Sequence, residues 1–173
     1  LDGTLKYPQI YDPSQSFLGY IDSTPIVGNY DDDSGLEIVA KTSGSKVVIL
    51  NPDGTKLSGW PQIMHSDQSI AGMFDSQLIS ADVNGDGNPD ILASSRSYSS
   101  SSNPDPNPHL YAWNKDGTLV AGWPKVLGLD EVDSLSQLYS TSTIADFDND
   151  GKVDVIAPHE DSNIYVWKLS NVL

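Results

Sequence analysis

No cysteine occurs among the 173 residues, which excludes a disulfide framework, a thiolate nucleophile and cysteine-ligated zinc. Basic residues are scarce: 9 Lys and Arg stand against 24 Asp and Glu, for a net charge of -15. Nucleic acid and anionic membrane both require a basic face on their partner, so neither is expected here. No apolar run approaches the ~20 residues of a membrane-spanning helix, and no signal-peptide core is present. The chain begins at Leu1 rather than Met, which points to a processed or excised piece. Sustained 3.6-residue periodicity is missing as well, so helices are not expected. The acidity does not imply disorder, because 38% of the residues are apolar, enough to build a core.

What the sequence does contain is turns and short β-prone runs. With 14 Gly and 11 Pro, and Ser and Asn in abundance, it reads as an all-β chain. It is also repetitive. Residues 29–50 align without a gap on residues 146–167, and a middle copy runs from Asp82 to Ala93 and resumes at Leu110 to Trp113. An insertion of roughly ten Ser-, Pro- and Asn-rich residues lies inside 94–109 and reads as an exposed loop. A second marker recurs: Asp53-Gly54-Thr55 before Gly59-Trp60-Pro61, and Asp116-Gly117-Thr118 before Gly122-Trp123-Pro124. Asp2-Gly3-Thr4 before Tyr7-Pro8 is a decayed version.

Each copy holds two apolar or aromatic runs, such as Ile38 to Ala40 with Val47 to Leu50, or Val155 to Ala157 with Ile164 to Trp167. A further strand is expected before each acidic motif, at 24–27, 77–80 and 141–144. Four short antiparallel strands per unit suggest the blades of a β-propeller. The whole chain, 1–173, is then one domain. Residues 1–20 complete a blade, and the three repeats cover about 21–60, 75–123 and 139–173.

The acidic motifs share one design. Asp82, Asn84, Asp86 and Asp90, like Asp146, Asp148, Asp150 and Asp154, put oxygen side chains at positions 1, 3, 5 and 9, with Gly87 or Gly151 at position 6. The sharp turn at glycine lets the carbonyl of position 7, Asn88 or Lys152, join them. Hard oxygen donors in a turning loop suit Ca²⁺, which takes six to eight oxygens in flexible geometry. The first copy keeps the oxygens in Asn29, Asp31, Asp33, the Gly35 carbonyl and Glu37, but with Asn at position 1 and Ser34 at position 6. Weaker binding is expected there. An EF-hand would need a bidentate Glu at position 12, where Ala40, Ala93 and Ala157 stand. Up to three ions, one per repeat, are expected to brace the turns between strands.

On these loops, and on the Gly-Trp-Pro downstream of them, the chain resembles the FG-GAP/VCBS repeat family, in its secreted prokaryotic form. The resemblance implies calcium-bound propeller blades, an extracellular setting and a role in adhesion, carbohydrate recognition or scaffolding. The Phe-Gly and Gly-Ala-Pro motifs that name the family are absent, so integrin-type partner recognition is not implied.

The remaining candidates are weaker. Trp60 and Trp123 could stack on sugars but, being repeated, read as packing between blades, as do Trp113 and Trp167. His159, Glu160 and Asp161 form a turn outside the repeat scaffold and read as solvated; His65 and His109 have no assigned role. No convergent catalytic set is visible, so a non-catalytic structural or adhesive module is favoured over a carbohydrate-binding or accessory module of a polysaccharide-degrading enzyme. A carbohydrate or protein ligand is compatible with either. Because the Asp2-Gly3-Thr4 marker lacks a strand before it, the missing strand is expected from a neighbouring copy, giving an oligomer or filament by strand exchange at the termini, or from an absent part of a longer protein.

Overall fold

The computed structural model describes residues 21, 23–42, 45–64, 77–95, 107–128, 141–159 and 161–169. Among them the chain is all-β, without helices. The first sheet contains β1 (Ile26–Gly28), β2 (Glu37–Thr42), β3 (Lys46–Leu50) and β4 (Gln62–Ile63). The second contains β5 (Ile79–Ala81), β6 (Asp90–Ser94), β7 (His109–Trp113) and β8 (Lys125–Val126). The third contains β9 (Thr143–Ala145), β10 (Asp154–Pro158) and β11 (Ile164–Lys168). Each sheet is an antiparallel meander in chain order, so β3 and β7 are covered on their outer edges by β4 and β8. The third sheet ends at β11, with no fourth strand among the described residues.

Period-two alternation decides which way each side chain faces. In the middle sheet, Ile91, Ala93 and Trp113 pack into one cluster with Val39, Val47 and Ile49 of the first sheet. The intervening residues Leu92, Leu110 and Ala112 turn the other way and pack with Val155 and Ala157 of the third. The middle sheet is therefore buried on both faces. The third is covered on one: Ile164 and Val166 are 68% and 41% exposed, whereas Leu110 and Ala112, their equivalents in the middle sheet, are at 1% and 0%.

Contacts between sheets repeat as the sequence does. Trp60 sits edge-on to Trp113 at 6.2 Å, and Trp123 meets Trp167 at 6.3 Å. Tyr111 stacks on Trp113 and Tyr165 on Trp167. The Tyr111 hydroxyl donates to the Met64 carbonyl of the preceding sheet, and Gly128 N–H donates to the Tyr165 hydroxyl over 3.0 Å. The Asp-Gly-Thr turns are also copies. Asp53 Oδ1 accepts from Thr55 N–H at 2.9 Å, as Asp116 Oδ1 does from Thr118 N–H at 2.9 Å. Gly54 and Gly117 supply the positive φ, 87° and 83°, that the turn requires.

Two expectations change. The first strands begin about two residues later than predicted, because the residues pairing with the central strand are those next to the acidic loop. The insertion is shorter than 94–109: Ser94 ends β6, His109 opens β7, and Ser94, Ser95 and His109 are all buried. The third unit shows three strands among the described residues. The N-terminal strand expected over 1–20 lies outside the described residues.

The burial contrast gives a stability test. Ile91 is fully buried between two sheets and Ile63 is 46% exposed. Ile91→Ala should cost about 2–5 kcal/mol and Ile63→Ala less than about 1 kcal/mol, read from urea unfolding midpoints.

Candidate metal centres

Each acidic loop joins the first strand of a sheet to the second, and the second strand opens on the position-9 carboxylate: Glu37 in β2, Asp90 in β6, Asp154 in β10. These three are buried to 0%, 1% and 1% exposure. Each accepts one hydrogen bond from the backbone N–H of position 2. Tyr30 N–H donates to Glu37 Oε2 at 2.7 Å, Val83 N–H to Asp90 Oδ2 at 2.9 Å, and Phe147 N–H to Asp154 Oδ2 at 3.0 Å. One oxygen is thereby fixed to the loop's own backbone. In the first loop the other, Glu37 Oε1, is buried and has no hydrogen-bond partner.

The rest of each loop wraps around its side chains. Asp82 accepts from Gly85, Asp86 and Gly87 N–H at 2.7, 3.1 and 2.8 Å. Asp146 accepts from Asp150 and Gly151 N–H, both at 2.9 Å. Position 5 accepts from position 7: Asn88 N–H to Asp86 at 2.7 Å, Lys152 N–H to Asp150 at 2.9 Å. These bonds hold the carboxylates in place and leave lone pairs free, since an ionised carboxylate offers about four acceptor sites. Gly87 and Gly151 take φ of 85° and 87°, as position 6 requires. Ser34 and Gly35 do not enter the left-handed region among the described residues, so the first loop turns along a different path. There Asn29 Nδ2 donates to the Asp33 carbonyl at 2.7 Å instead.

The carboxylates converge unevenly. Asp31, Asp33 and Glu37 bring ligand oxygens within 4.8 Å of one another, and so do Asp146, Asp148 and Asp154. Asp150 is not in the latter group, and the middle loop, with an amide in Asn84, forms no such group of three among the described residues. The first loop, which the sequence ranks weakest, is thus one of the two in which carboxylates gather. Both groups could hold a metal ion. The buried, unpartnered Glu37 Oε1 fits this use: a desolvated carboxylate oxygen costs free energy unless a donor or cation meets it.

Other groups tune the loops. Lys168 Nζ pairs with Asp148, and its hydrogen bond holds that carboxyl below the usual range. Asn84 Nδ2 donates to Asn114 Oδ1 at 2.9 Å, tying the middle loop to the turn after β7. Lys115 Nζ lies 2.6 Å from Asp32 Oδ1, joining the first loop to the second sheet's turn. Sequence reasoning missed these partners. The only signal available was that Asn114 and Lys168 occupy the same place in successive repeats.

The histidine turn differs from expectation. His159 is buried, with Nδ1 3.2 Å from Asp161 Oδ1, and Tyr165 donates to Asp161 Oδ2 at 2.6 Å. It is a hydrogen-bonded turn, buried at His159 and solvated at Asp161, Ser162 and Asn163; Glu160 and His65 lie outside the described residues. His109 is buried at the start of β7, with Nδ1 2.8 Å from the Asn107 carbonyl. Trp60 and Trp123 are 6% and 8% exposed, so neither offers a face to a sugar.

Residues 82–157 match the family model of the FG-GAP-like repeat. The resemblance read from the acidic loops and the Gly-Trp-Pro downstream of them is borne out over those residues. The structural neighbours are β-propeller-type proteins. One is BBS1N in its complex with ARL6DN, from a crystal soaked with lead: 14% identity, TM-score 0.51, covering 91% of this chain and 42% of that one. Another is the V. cholerae biofilm matrix protein Bap1: 22% identity, TM-score 0.38, covering 86% of this chain and 27% of that one. The chain thus spans less than half the length of either. No curated protein sequence matches it.

Burial, with the Asp86 and Asp82 carboxylates adding to it, pushes the Asp90 carboxyl up from 3.8 to about 6. With metal chelated, the folded state then binds a proton that the unfolded state has released, so this group's contribution to stability falls as pH rises from about 4 to about 6. Asp90→Asn should remove that slope. The check is the difference between wild-type and variant melting temperatures across the window in excess chelator.

Proposed function

We propose that the protein is a non-catalytic, calcium-braced β module of extracellular structures, its three sheets acting as propeller blades in a structural or adhesive role. The observation that carries this reading is the buried, unpartnered Glu37 Oε1 facing a loop whose Asp31 and Asp33 oxygens gather around the same point. The match to the FG-GAP-like repeat over residues 82–157 supports it from an independent direction.

In this reading the first loop contributes Asn29, Asp31, Asp33, the Gly35 carbonyl and Glu37. The second contributes Asp82, Asn84, Asp86, the Asn88 carbonyl and Asp90; the third, Asp146, Asp148, Asp150, the Lys152 carbonyl and Asp154. Oxygen-only donors, several of them anionic and none of them sulfur or imidazole, select a hard cation, and the flexible loop favours Ca²⁺ over the octahedral demands of Mg²⁺. The bound ion offsets the repulsion among carboxylates and fixes the turn between the first and second strands of each sheet. Ion binding and folding are then one equilibrium. Extracellular modules bind calcium at roughly 10⁻⁴–10⁻³ M, a range saturated outside cells and not in the cytosol. No helix among the described residues is long and apolar enough to cross a membrane.

Calcium titration by calorimetry, with thermal melting in parallel, tests the reading. At free calcium a hundredfold above Kd, each occupied site should add about 2.7 kcal/mol, and chelation should lower the melting temperature correspondingly. Glu37→Gln keeps an acceptor for Tyr30 N–H but turns an amide toward the loop, and should abolish one binding event. No heat of binding and identical melting curves in calcium and chelator would overturn the assignment.

A further inference from the structure

Directly across from each buried carboxylate, on the neighbouring strand, stands a residue outside the acidic motif. Asp154 pairs with Lys168 in the register of β10 and β11. One step beyond the pairing of Ile38 with Leu50, and of Ile91 with Trp113, Glu37 stands across from Asn51 and Asp90 across from Asn114. Side chains so opposed share one face of the sheet, with Cβ atoms about 5 Å apart. In two sheets this residue meets position 3 of the loop: Asn114 Oδ1 accepts from Asn84 Nδ2 at 2.9 Å, and Lys168 Nζ pairs with Asp148. In the first sheet, Asn51 Oδ1 and Glu37 Oε1 are both buried, and among the described residues neither has a hydrogen-bond partner.

The Asp-Gly-Thr turn settles which way the Asn51 amide faces. Thr55 Oγ1 gives its only proton to Asp53 Oδ1 at 2.7 Å, so toward Asn51 it can only accept, and it does so from Nδ2 at 2.9 Å. Oδ1 is left pointing away from the turn. The second sheet repeats the relay: Thr118 Oγ1 donates to Asp116 Oδ1 at 2.6 Å and accepts from Asn114 Nδ2 at 2.9 Å. There Oδ1 ends on Asn84 of the acidic loop. That turn is also held from outside, where a Cβ on Gly59 would stand 2.0 Å from the Asp116 carbonyl oxygen. In the first loop position 3 is Asp31, and an ionised carboxylate has no proton to give an amide oxygen. Two buried oxygens with no donor to meet them carry a desolvation cost that a cation relieves.

We infer that this cross-strand position completes the metal centres and grades them: Asn51 gives the first loop a further neutral oxygen ligand, and Lys168 gives the third a tethered cation that competes with the metal. The inference rests on the calcium reading of the loops and adds to it residues from outside the acidic motif. In the first sheet an ion is met from the loop by Asp31 and Asp33 and from the two strands by Glu37 and Asn51. In the third, Lys168 takes an oxygen of Asp148, one of the carboxylates that gather with Asp146 and Asp154. A metal that uses this oxygen displaces the ammonium, and a lysine side chain that is 68% exposed can swing into water. Asn114 does neither: its oxygen is spent on holding Asn84, which makes it a positioning residue. Lys115, the other cation beside a loop, pairs with Asp32, which occupies no ligand position.

Calcium chloride titrated into the chelator-stripped full chain, followed by NMR at the Gly35, Gly87 and Gly151 amides, reads each loop separately. Asn51→Leu should weaken calcium binding at Gly35 about tenfold, and Lys168→Met should tighten it at Gly151 about tenfold, the scale on which residues supporting a metal site act. Gly87 should keep its wild-type affinity in both. Asn51→Asp separates a ligand from a packing group. Like Asn51→Leu it loses the bond to Thr55, yet it keeps an oxygen toward the loop, so Gly35 should bind as tightly as in the wild type or tighter. Thermal melting in chelator checks that each variant folds. Unchanged binding in Asn51→Leu, weaker binding in both Asn51 variants, or an unchanged Gly151 affinity in Lys168→Met would overturn the inference and leave calcium binding in place. No response at any loop, in the wild type or in Lys168→Met, would overturn the calcium reading and this inference together.

Discussion

Three carboxylates removed from water at the start of three central strands set the terms for the rest of this protein. Glu37, Asp90 and Asp154 are as buried as the valines and leucines beside them. An ionised group in that position is tolerable only if its oxygens are met. One oxygen of each is met by the position-2 N–H, which bends the loop back over the strand and determines where the other acidic side chains hang. The loop's path, and the gathering of Asp31 with Asp33 and of Asp146 with Asp148 into clusters that could hold a cation, follow from that single placement. A neutral residue at position 9 would relieve the burial cost and remove the reason for the loop to close.

The same placement links the metal centres to the packing between sheets. The alternation that starts at each buried carboxylate sends Ile91 and Val155, one residue on, and Val39, two residues on, into the core. A loop that lost its shape would disturb the register of the strand it feeds, and a one-residue slip would exchange the two faces of the sheet. In the middle sheet both faces are core, so a slip there would expose one set of side chains and strand the other. Loop shape and sheet packing are in this sense one property read at two ends of a strand.

Much of this was legible in the residues. Repetition located the units, glycine at positive φ located the turns, and duplication of Trp60 in Trp123 marked both as packing groups. The start of the first strands was not legible, because pairing with β2, β6 and β10 rather than local propensity decides which residues are strand. Nor was the burial of His159, whose ring lies against Gly128 from a different repeat. The weakness assigned to the first loop rested on Ser34 in place of glycine. The backbone there takes another route and still brings three carboxylates together, a compensation that appears only in three dimensions.

The contact between Gly59 and Gly117 acts as a gauge. With no side chain on either, the backbones of adjacent units approach until a carbonyl oxygen lies where a methyl group would be. That distance sets how far one sheet is rotated from the one before it. In a repetitive architecture, small rotations accumulate into curvature. A spacer of one carbon at this point would collide with the neighbouring backbone and wedge the two sheets apart on that side.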